Sequence, residues 1–318
     1  ILTAAAVLGT AALAGCGSKA DTTESAAASE EATEATGEAE ASDAQLVIAG
    51  GDSAGLIAAV QAAAEGMDPS KILILAPGEE LAADMTAMAP YVNAADTDEQ
   101  FQANLTDDFE IYLSDIMTAG NNTNNSDMAA YVSENSEEAK DWLADTLGME
   151  YGDLAQEAGS SVARSFPAKE GNLNELAQEA LLKKVEELKI PVEYKAELKS
   201  VAYNEEGALD RITVTVDGKD QEIDCLALVA TDVSLIPVFE ESQVYEADGK
   251  AAALVVSNNA EQLNKDSGEL INGLYAAGPI LSAAVDGEGV LSGNELTEAV
   301  MFGSTAGTEA AVYVSDNQ

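Results

Sequence analysis

The spacing of apolar and polar positions becomes regular at about residue 45. Residues 46–49 form a short apolar run, a glycine-containing turn follows, and an alanine-rich segment covers residues 54–65. Residues 71–75, which are apolar after Lys71, are predicted to be a second buried strand. Short unbroken apolar runs on either side of a helical segment are typical of buried parallel strands. This order predicts a β-α-β unit whose glycine turn lies at the carboxyl end of the first strand.

Helical and strand patterns then alternate to the end of the chain. Helices are predicted at residues 107–147, with a polar break at 121–126, and at 173–188 and 295–313. Strands are predicted at residues 192–194, 199–203, 211–216, 221–224, 226–230 and 274–277, with a hairpin turn at Asp217-Gly218 and a glycine-rich loop after residue 277. The predicted core positions of the first helical region are Tyr112, Ile116, Tyr131, Trp142 and Leu143. The alternation predicts an α/β fold with an open, mostly parallel sheet, helices on both faces and a β-hairpin insert.

The first 44 residues have a different pattern. Residues 1–14 are apolar and lead into Leu13-Ala14-Gly15-Cys16, which resembles the lipobox of bacterial lipoproteins. That resemblance implies that residues 1–16 are a signal, that Cys16 is lipidated, and that the protein is exported to the bacterial cell envelope and anchored there by lipid. An ordinary cleaved signal peptide that contains a cysteine is the alternative. Residues 17–44 contain no aromatic residue and are predicted to be a disordered acidic tether before a folded region at 45–318.

Charge and composition exclude several functions. The formal net charge is -44, from 58 acidic and 14 basic residues, so binding to nucleic acid is unfavourable. The sequence contains no histidine, which excludes serine-histidine triads and histidine-ligated zinc. Cys225 opens an apolar run and is predicted to be a small buried side chain. Carboxylates are scattered without the spacing of a calcium loop, so no metal site is predicted.

Five segments carry a family resemblance. They are, in order, VIAGGDSAGL, ENSEEAKDWLADTLGMEY, VARSF, DCLALVATD and GLYAAGPILSAAVDGEGVLSGNELTEAVMFG. Over most of residues 46–312 the chain resembles FAD-dependent flavoproteins of the fumarate reductase and succinate dehydrogenase type. The resemblance implies a Rossmann-like FAD/NAD(P)-binding domain with FAD as the cofactor. The cofactor-binding positions that it implies are Gly50, Gly51, Asp52, Ser53, Ala54, Gly55, Thr231, Gly278, Gly293 and Asn294.

The chain departs from the family pattern where the cofactor and substrate would lie. Asp52 replaces the second glycine of the Gly-x-Gly-x-x-Gly turn, where the backbone approaches the diphosphate. Ala76 stands where an acidic residue would bind the ribose, and residues 82–85 replace a Gly-Gly-Asn-Thr turn. The family's catalytic histidine and arginine fall at Asp286 and Val290, so the substrate pocket is expected to be lined by Asp286 and Glu288 and no catalytic residue is predicted.

Two functions remain after these departures. About forty residues separate Thr231 from Leu274, too few for the family's capping domain, which is therefore predicted to be absent. We predict an envelope-anchored lipoprotein with a fumarate reductase-like FAD-binding fold that is catalytically degenerate and weak or lost in flavin binding. The alternative is a functional FAD-dependent oxidoreductase or electron carrier with an unknown substrate. For either function, the protein is predicted to contact the membrane through Cys16 and to bind an unidentified envelope protein or redox partner.

Overall fold

The computed structural model describes residues 43–318, so the predicted signal, its Cys16 and nearly all of the predicted tether lie outside the described residues. The strands are β1 (Leu46–Ala49), β2 (Ile72–Ala76), β3 (Tyr91–Asn93), β4 (Ser165–Pro167), β5 (Val192–Tyr194), β6 (Ala196–Tyr203), β7 (Leu209–Val216), β8 (Lys219–Asp224), β9 (Ala227–Ala230), β10 (Val244–Ala247), β11 (Lys250–Leu254), β12 (Glu261–Leu263) and β13 (Leu270–Ala276). The helices are α1 (Ser53–Ala64), α2 (Asp98–Gln102), α3 (Phe109–Ala119), α4 (Ser126–Glu134), α5 (Ser136–Leu147), α6 (Leu173–Leu188), α7 (Pro279–Asp286) and α8 (Asn294–Asp316).

A six-stranded sheet with the order β12-β13-β9-β1-β2-β5 forms the centre of the fold. All its neighbouring strands are parallel except β12 and β13, which are antiparallel. β1 is buried along its whole length between β2 and β9, as its four consecutive apolar residues require. The structure confirms the predicted α/β fold with a mainly parallel sheet. The carboxyl ends of β1 and β9 meet at the same edge, where ligands of such sheets bind.

Helix α8 packs closely on α1 because two glycines allow their backbones to meet. A Cβ atom added to Gly303 would lie 2.8 Å from the carbonyl oxygen of Ala54, and one added to Gly307 would lie 2.3 Å from that of Ala58. Substitution at either position would force the helices apart. This contact fixes the middle of α8 beside the first two turns of α1.

Smaller sheets flank the central one. β6, β7 and β8 form a three-stranded antiparallel sheet, with the predicted hairpin turn at Asp217 and Gly218 between the last two strands. β10 pairs with β11, and β3 pairs with β4. Between β9 and β13 the chain forms a 3-10 helix at Val233–Val238 and the short strands β10, β11 and β12, without a capping domain.

Most predicted elements are found, and two expectations are wrong. The predicted glycine-rich loop after residue 277 contains helix α7, because Gly278 turns the chain, Pro279 fits the first helical position and Gly287 ends the helix. The polar break after α3 is present, but Asn135 adds a second break between α4 and α5. Of the five predicted core positions, four are buried, whereas Trp142 is half-buried and donates from Nε1 to Oε1 of Gln61 at 2.8 Å. Within residues 43–318 we find no helix with the length and apolar character needed to cross a membrane.

Candidate functional site

Helix α1 begins at the carboxyl edge of the sheet, and its first turn is capped by Asp52. Oδ1 of Asp52 accepts a hydrogen bond from the backbone N–H of Gly55 at 3.1 Å. Its Oδ2 accepts a short hydrogen bond from Oγ1 of Thr231, at the end of β9. An aspartate at this position is a favourable helix cap, because its carboxylate satisfies an amide that has no partner within the helix.

A second carboxylate reaches the same helix terminus. Asp84 lies in a 3-10 turn at Ala83–Ala87, and Ala82 before it, with a φ of 51°, donates its N–H to the carbonyl oxygen of Gly51 at 2.7 Å. Oδ1 of Asp84 accepts from the backbone N–H of Ser53 at 3.0 Å, and Oδ2 accepts from the Ser53 hydroxyl at 2.5 Å. Two amides of the first turn of α1, those of Ser53 and Gly55, therefore donate to carboxylates of the chain itself. These amides are the groups with which helix N-termini bind anions.

The start of α7 closes over this terminus. Gly278 has a φ of 69°, and a Cβ atom added there would lie 2.5 Å from Cβ of Ala54 and 3.3 Å from Oδ1 of Asp52. Ile280 donates its N–H to the carbonyl oxygen of Thr231 at 2.9 Å, which ties α7 to the end of β9. The structure therefore brings eight of the ten predicted cofactor-binding residues together, namely Gly50, Gly51, Asp52, Ser53, Ala54, Gly55, Thr231 and Gly278.

The other two predicted residues, Gly293 and Asn294, pack against another part of the chain. A Cβ atom on Gly293 would lie 2.5 Å from the ring of Tyr91. Oδ1 of Asn294 accepts from the Tyr112 hydroxyl at 2.7 Å and from Nδ2 of Asn93 at 3.0 Å. These contacts place the start of α8 against β3 and α3. The following residues of α8, not this pair, face the start of α1.

A cavity of about 240 Å³, which we call the acidic cavity, lies between the starts of α1, α7 and α8. It is lined by Ser53, Asp84, Ala87, Met88, Gly278, Pro279, Ser282, Glu295, Glu298 and Ala299. Three of these residues carry carboxylates, and none is basic. Neither Asp84 nor Glu298 was predicted from the sequence to be a site residue. The expectation that Glu288 lines the pocket is wrong, because Glu288 is exposed and its Oε2 accepts from Asn121 at 2.9 Å.

Burial raises the pKa values of acidic groups around the acidic cavity. It raises the pKa of Asp52 to about 7, although its two hydrogen bonds favour the ionised form. Burial likewise raises the pKa of Asp286, the last residue of α7, to about 7. The pKa of its neighbour Glu298 lies well above the usual range, because that carboxyl is buried next to Asp286. Neutral and ionised forms of Asp52 and Asp286 are therefore both populated near neutral pH.

A second cavity, of about 230 Å³, lies on the other side of Gly50. It is lined by the ends of β1 and β2, by the start of β6 and by the 3-10 helix that follows β9. Pro77 borders it directly after Ala76, the position of the family's ribose-binding acid, and Asp232 supplies a carboxylate from the end of β9. This cavity is separated from the acidic cavity by the glycine turn.

Arg164, a rare cation in this chain, is fully buried away from both cavities. Its Nη2 and Nε contact the two carboxylate oxygens of Asp107 at 2.7 and 3.0 Å, and its Nη1 lies 2.8 Å from Oδ2 of Asp115. Its guanidinium carbon lies 4.4 Å from the ring centre of Tyr112. Arg164 is thus a salt-bridged residue whose charge is used by Asp107 and Asp115. Cys225 is buried as predicted, and burial raises the pKa of its thiol to about 12.

Part of the chain is similar to a known family of cofactor-binding domains. Residues 45–184 match the FAD binding domain family. The NADH:fumarate oxidoreductase of Klebsiella pneumoniae (strain 342) is 29% identical over 127 residues, which are 40% of this chain and 13% of that protein. The fumarate reductase (cytochrome) of Shewanella frigidimarina is 28% identical over 120 residues, or 38% of this chain and 20% of that protein. The matched part is thus a fifth or less of these relatives.

The fold agrees with these sequence matches. The open conformation of a flavocytochrome c3 fumarate reductase superposes with a TM-score of 0.69 at 14% identity, over 85% of this chain and 78% of that one. The predicted resemblance to fumarate reductase and succinate dehydrogenase flavoproteins is therefore confirmed. The family match and the fold also support FAD as the cofactor. Among the residues that the structure describes, no group of three or more His, Cys, Asp or Glu side chains is arranged to hold a metal ion.

Proposed function

We propose that this chain, which has the FAD-binding fold of the fumarate reductase and succinate dehydrogenase flavoproteins, is a non-catalytic member of that group whose diphosphate site is taken by its own carboxylates. The observation that carries the proposal is the pair of side-chain caps on α1. The N–H groups of Ser53 and Gly55 already donate to Asp84 and Asp52. In this arrangement the residues at the α1 terminus do not fit a diphosphate.

The cost of admitting a diphosphate follows from charge and space. Two like charges about 4 Å apart cost on the order of 4 kcal/mol at an effective dielectric constant of about 20. Asp52 and Asp84 would both meet the phosphates in this way unless they were protonated or displaced. Displacing Asp84 would also break its two hydrogen bonds to Ser53. In addition, Gly278 leaves no gap between α7 and the first turn of α1.

Catalytic degeneracy is supported by the substrate side of the fold. Asp286, where the family pattern has a histidine, is packed against Glu298 and adds negative charge rather than a group that would bind a dicarboxylate. The segment between β9 and β13 supplies no cap over the sheet edge. We therefore expect no reduction of fumarate by a reduced dye, and sustained turnover would contradict this part of the proposal.

The test of the proposal is FAD retention by the full chain near pH 7. The wild type is expected to lose FAD on gel filtration, whereas Asp52→Gly combined with Asp84→Asn is expected to bind FAD at least about tenfold more tightly, because both repelling charges are gone. Fluorescence titration with FAD measures the difference. Asp108→Asn, which changes the capping carboxylate of α3 away from the site, is the matched control. Stoichiometric FAD in the purified wild type would overturn the proposal.

A functional FAD-dependent oxidoreductase or electron carrier is the second candidate. The cavity beside Pro77 and Asp232 favours it, because this space is open although the α1 terminus is occupied. If this candidate is correct, the wild type carries FAD and passes electrons between a reduced and an oxidised dye. Loss of FAD together with loss of electron transfer excludes it.

The proposal for the cell envelope concerns residues before the described region. We propose that Cys16 carries a lipid that anchors the protein outside the cytoplasm, with the acidic segment 17–44 as a tether, where an envelope protein would be its partner. The support is the Leu13-Ala14-Gly15-Cys16 pattern after an apolar run. Metabolic labelling with a fatty acid tests it, with incorporation expected in the wild type and absent in Cys16→Ala. Equal labelling of both proteins would contradict it.

A further inference from the structure

Two carboxyl groups from different helices meet behind the acidic cavity. Asp286 is the last residue of α7, and Glu298 lies in the second turn of α8. Their side chains are hydrogen-bonded to each other, and Glu298 is only 5% exposed. We call these two side chains the carboxyl pair. Because an ionised carboxylate accepts hydrogen bonds but donates none, the contact between them requires a proton.

Two oxygen atoms of the carboxyl pair indicate where this proton lies. Oδ1 of Asp286 and Oε1 of Glu298 are both shielded from water, and neither has a hydrogen-bond donor among the described residues. A buried carboxylate oxygen without a donor is costly. One proton held between the two carboxyl groups satisfies both oxygens at once, whereas full ionisation would leave both without a donor.

The groups that face the carboxyl pair do not offset its charge. Glu295 of α8 is itself acidic, and Tyr112 of α3 stays neutral because burial raises its pKa above the usual range. Asp84, across the acidic cavity, adds another carboxylate. None of the ion pairs found between residues 43 and 318 involves either member of the pair. Full ionisation would therefore place two like charges side by side, away from water.

The other elements that pack on α7 present their charged groups to solvent. Asp127 of α4, Glu246 of β10 and Lys250 of β11 are exposed, and Tyr245 of β10 donates its hydroxyl to the carbonyl oxygen of Thr123 at 2.6 Å. The 3-10 helix at Val233–Val238 contains no charged residue. The carboxyl pair thus limits its charge by keeping a proton rather than by pairing with a cation. The raised pKa of both of its members agrees with this.

The carboxyl pair joins the end of α7 to α8, while the start of α7 covers the start of α1. Helix α7 has only eight residues and no side-chain cap at its first turn. Near its end, Nδ2 of Asn124 donates to the carbonyl oxygen of Val285 at 2.7 Å. The carboxyl pair is the contact of this short helix that depends on a proton. Its ionisation would therefore weaken the attachment of α7 at the end opposite to Gly278.

We propose that the carboxyl pair is a pH-sensitive latch, in which one proton shared by Asp286 and Glu298 holds α7 against α8 and loss of that proton at alkaline pH releases α7 from the start of α1. On release, both carboxylates become hydrated and the proton passes to the solvent. This goes beyond the function proposed above, because it concerns the movement of α7 and not the ligand of the α1 terminus. FAD retention near pH 7 and the release of α7 can each fail without the other.

The experiment is hydrogen exchange of the full chain at pH 7.5 and 8.5, expressed as protection factors that correct for the faster intrinsic exchange at the higher pH. The closed pair keeps a proton that hydrated carboxyl groups have lost, so opening releases one proton. The protection of the α7 amides is therefore expected to fall about tenfold over this pH unit. The amides of β1, at the centre of the sheet, are expected to stay more protected than those of α7 at both pH values. Equal protection of α7 and β1 would mean that the pair opens only when the whole fold opens, which would overturn the proposal.

Variants assign the proton to the carboxyl pair. Glu298→Gln, whose amide can donate to Asp286 at every pH, is expected to keep the protection of α7 within about twofold between the two pH values. Glu309→Gln, the same change at a half-buried position farther along α8, is expected to show the wild-type fall. Asp286→Asn is expected to move the fall to lower pH, because the neighbouring charge that raises the pKa of Glu298 is gone. A tenfold fall in Glu298→Gln, or a fall at the wild-type pH in Asp286→Asn, would contradict a shared proton.

Infrared spectroscopy keeps the proposal testable if Glu298→Gln does not fold. A band from a protonated carboxyl group is expected in the wild type at pH 8.5, where exposed carboxyl groups are ionised. Asp52→Asn is expected to keep the band, which excludes Asp52 as its source. Absence of the band from the wild type, or its loss in Asp52→Asn, would show that the carboxyl pair holds no proton and would overturn the latch.

Discussion

Two groups of buried ionisable side chains in this fold differ in how their charge is balanced. Around Arg164, one guanidinium meets two aspartates, Asp107 and Asp115, which receive further hydrogen bonds from Gln100 and Ser161. In the acidic cavity several carboxylates share helix amides and one another, with no basic side chain. Both groups hold charge out of water, but only the first contains its own counter-charge.

This difference in counter-charge implies that the group around Arg164 stabilises the fold, whereas the acidic cavity responds to pH. An ion pair whose partners are all in place loses its stability only when one partner is removed. Carboxylates without a counter-charge instead adjust by taking up a proton, as the raised pKa of Asp52, about 7, indicates. We therefore expect mutations at Arg164 to destabilise the fold, and mutations in the acidic cavity to change the pH dependence of stability.

The largest effect is expected for Arg164→Met. This change removes the buried cation and leaves Asp107 and Asp115 without a counter-charge, so the free energy of unfolding should fall by about 3–5 kcal/mol. Urea denaturation measures it. The matched control is Arg211→Met, whose side chain is 42% exposed and pairs with exposed acids, and a loss of less than about 1 kcal/mol is expected there. Similar losses in both variants would show that the buried group around Arg164 stabilises the fold no more than an exposed ion pair does.

The contrast between the two groups also shows what sequence can predict. The β1-α1-β2 unit was predictable because its signals are local: short apolar runs, a glycine turn and an alanine-rich helix within about thirty residues. The replacement at Asp52 was detectable because the Gly-x-Gly-x-x-Gly turn has a fixed spacing. The strands β3 and β4 were missed because each has only three residues and, unlike the equally short β5, neither follows the end of a clearly predicted helix.

The partners of the site residues were not predictable in the same way. Asp107 lies 57 positions before Arg164, and Asp84 lies 31 positions after Ser53, so only the folded chain brings each pair together. Asp84 was aligned with a glycine-rich turn, but its capping role depends on the left-handed conformation of Ala82 and on the docking of that turn at Gly51. No local spacing in the sequence encodes these approaches.

A smaller effect is expected for Gly278→Ala, which tests how tightly the acidic group is enclosed. The new Cβ would meet Cβ of Ala54 at 2.5 Å, and overpacking of this kind costs about 1–3 kcal/mol in addition to backbone strain. Gly249→Ala is a close control, because its φ of 71° matches the 69° of Gly278 and its Cβ would meet nothing within 4 Å. The difference between the two unfolding free energies measures the close approach together with the strain of the ψ of −143° at Gly278. Equal losses would mean that α7 can move away from α1.

The smallest effect is expected for the pH dependence carried by Asp52. Because burial raises its pKa to about 7 in the folded chain, the folded state binds more protons than the unfolded state between about pH 4 and 7. Its contribution to stability is thus present at low pH and lost as the pH rises through 7.

Between about pH 5 and 8, wild-type stability should fall by about 1–2 kcal/mol more than that of Asp52→Asn, which keeps an acceptor for Gly55 but cannot ionise. Urea denaturation at both pH values measures this, with Asp108→Asn at the cap of α3 as the control. Parallel pH profiles for wild type and Asp52→Asn would show that the acidic cavity is as fully balanced as the group around Arg164.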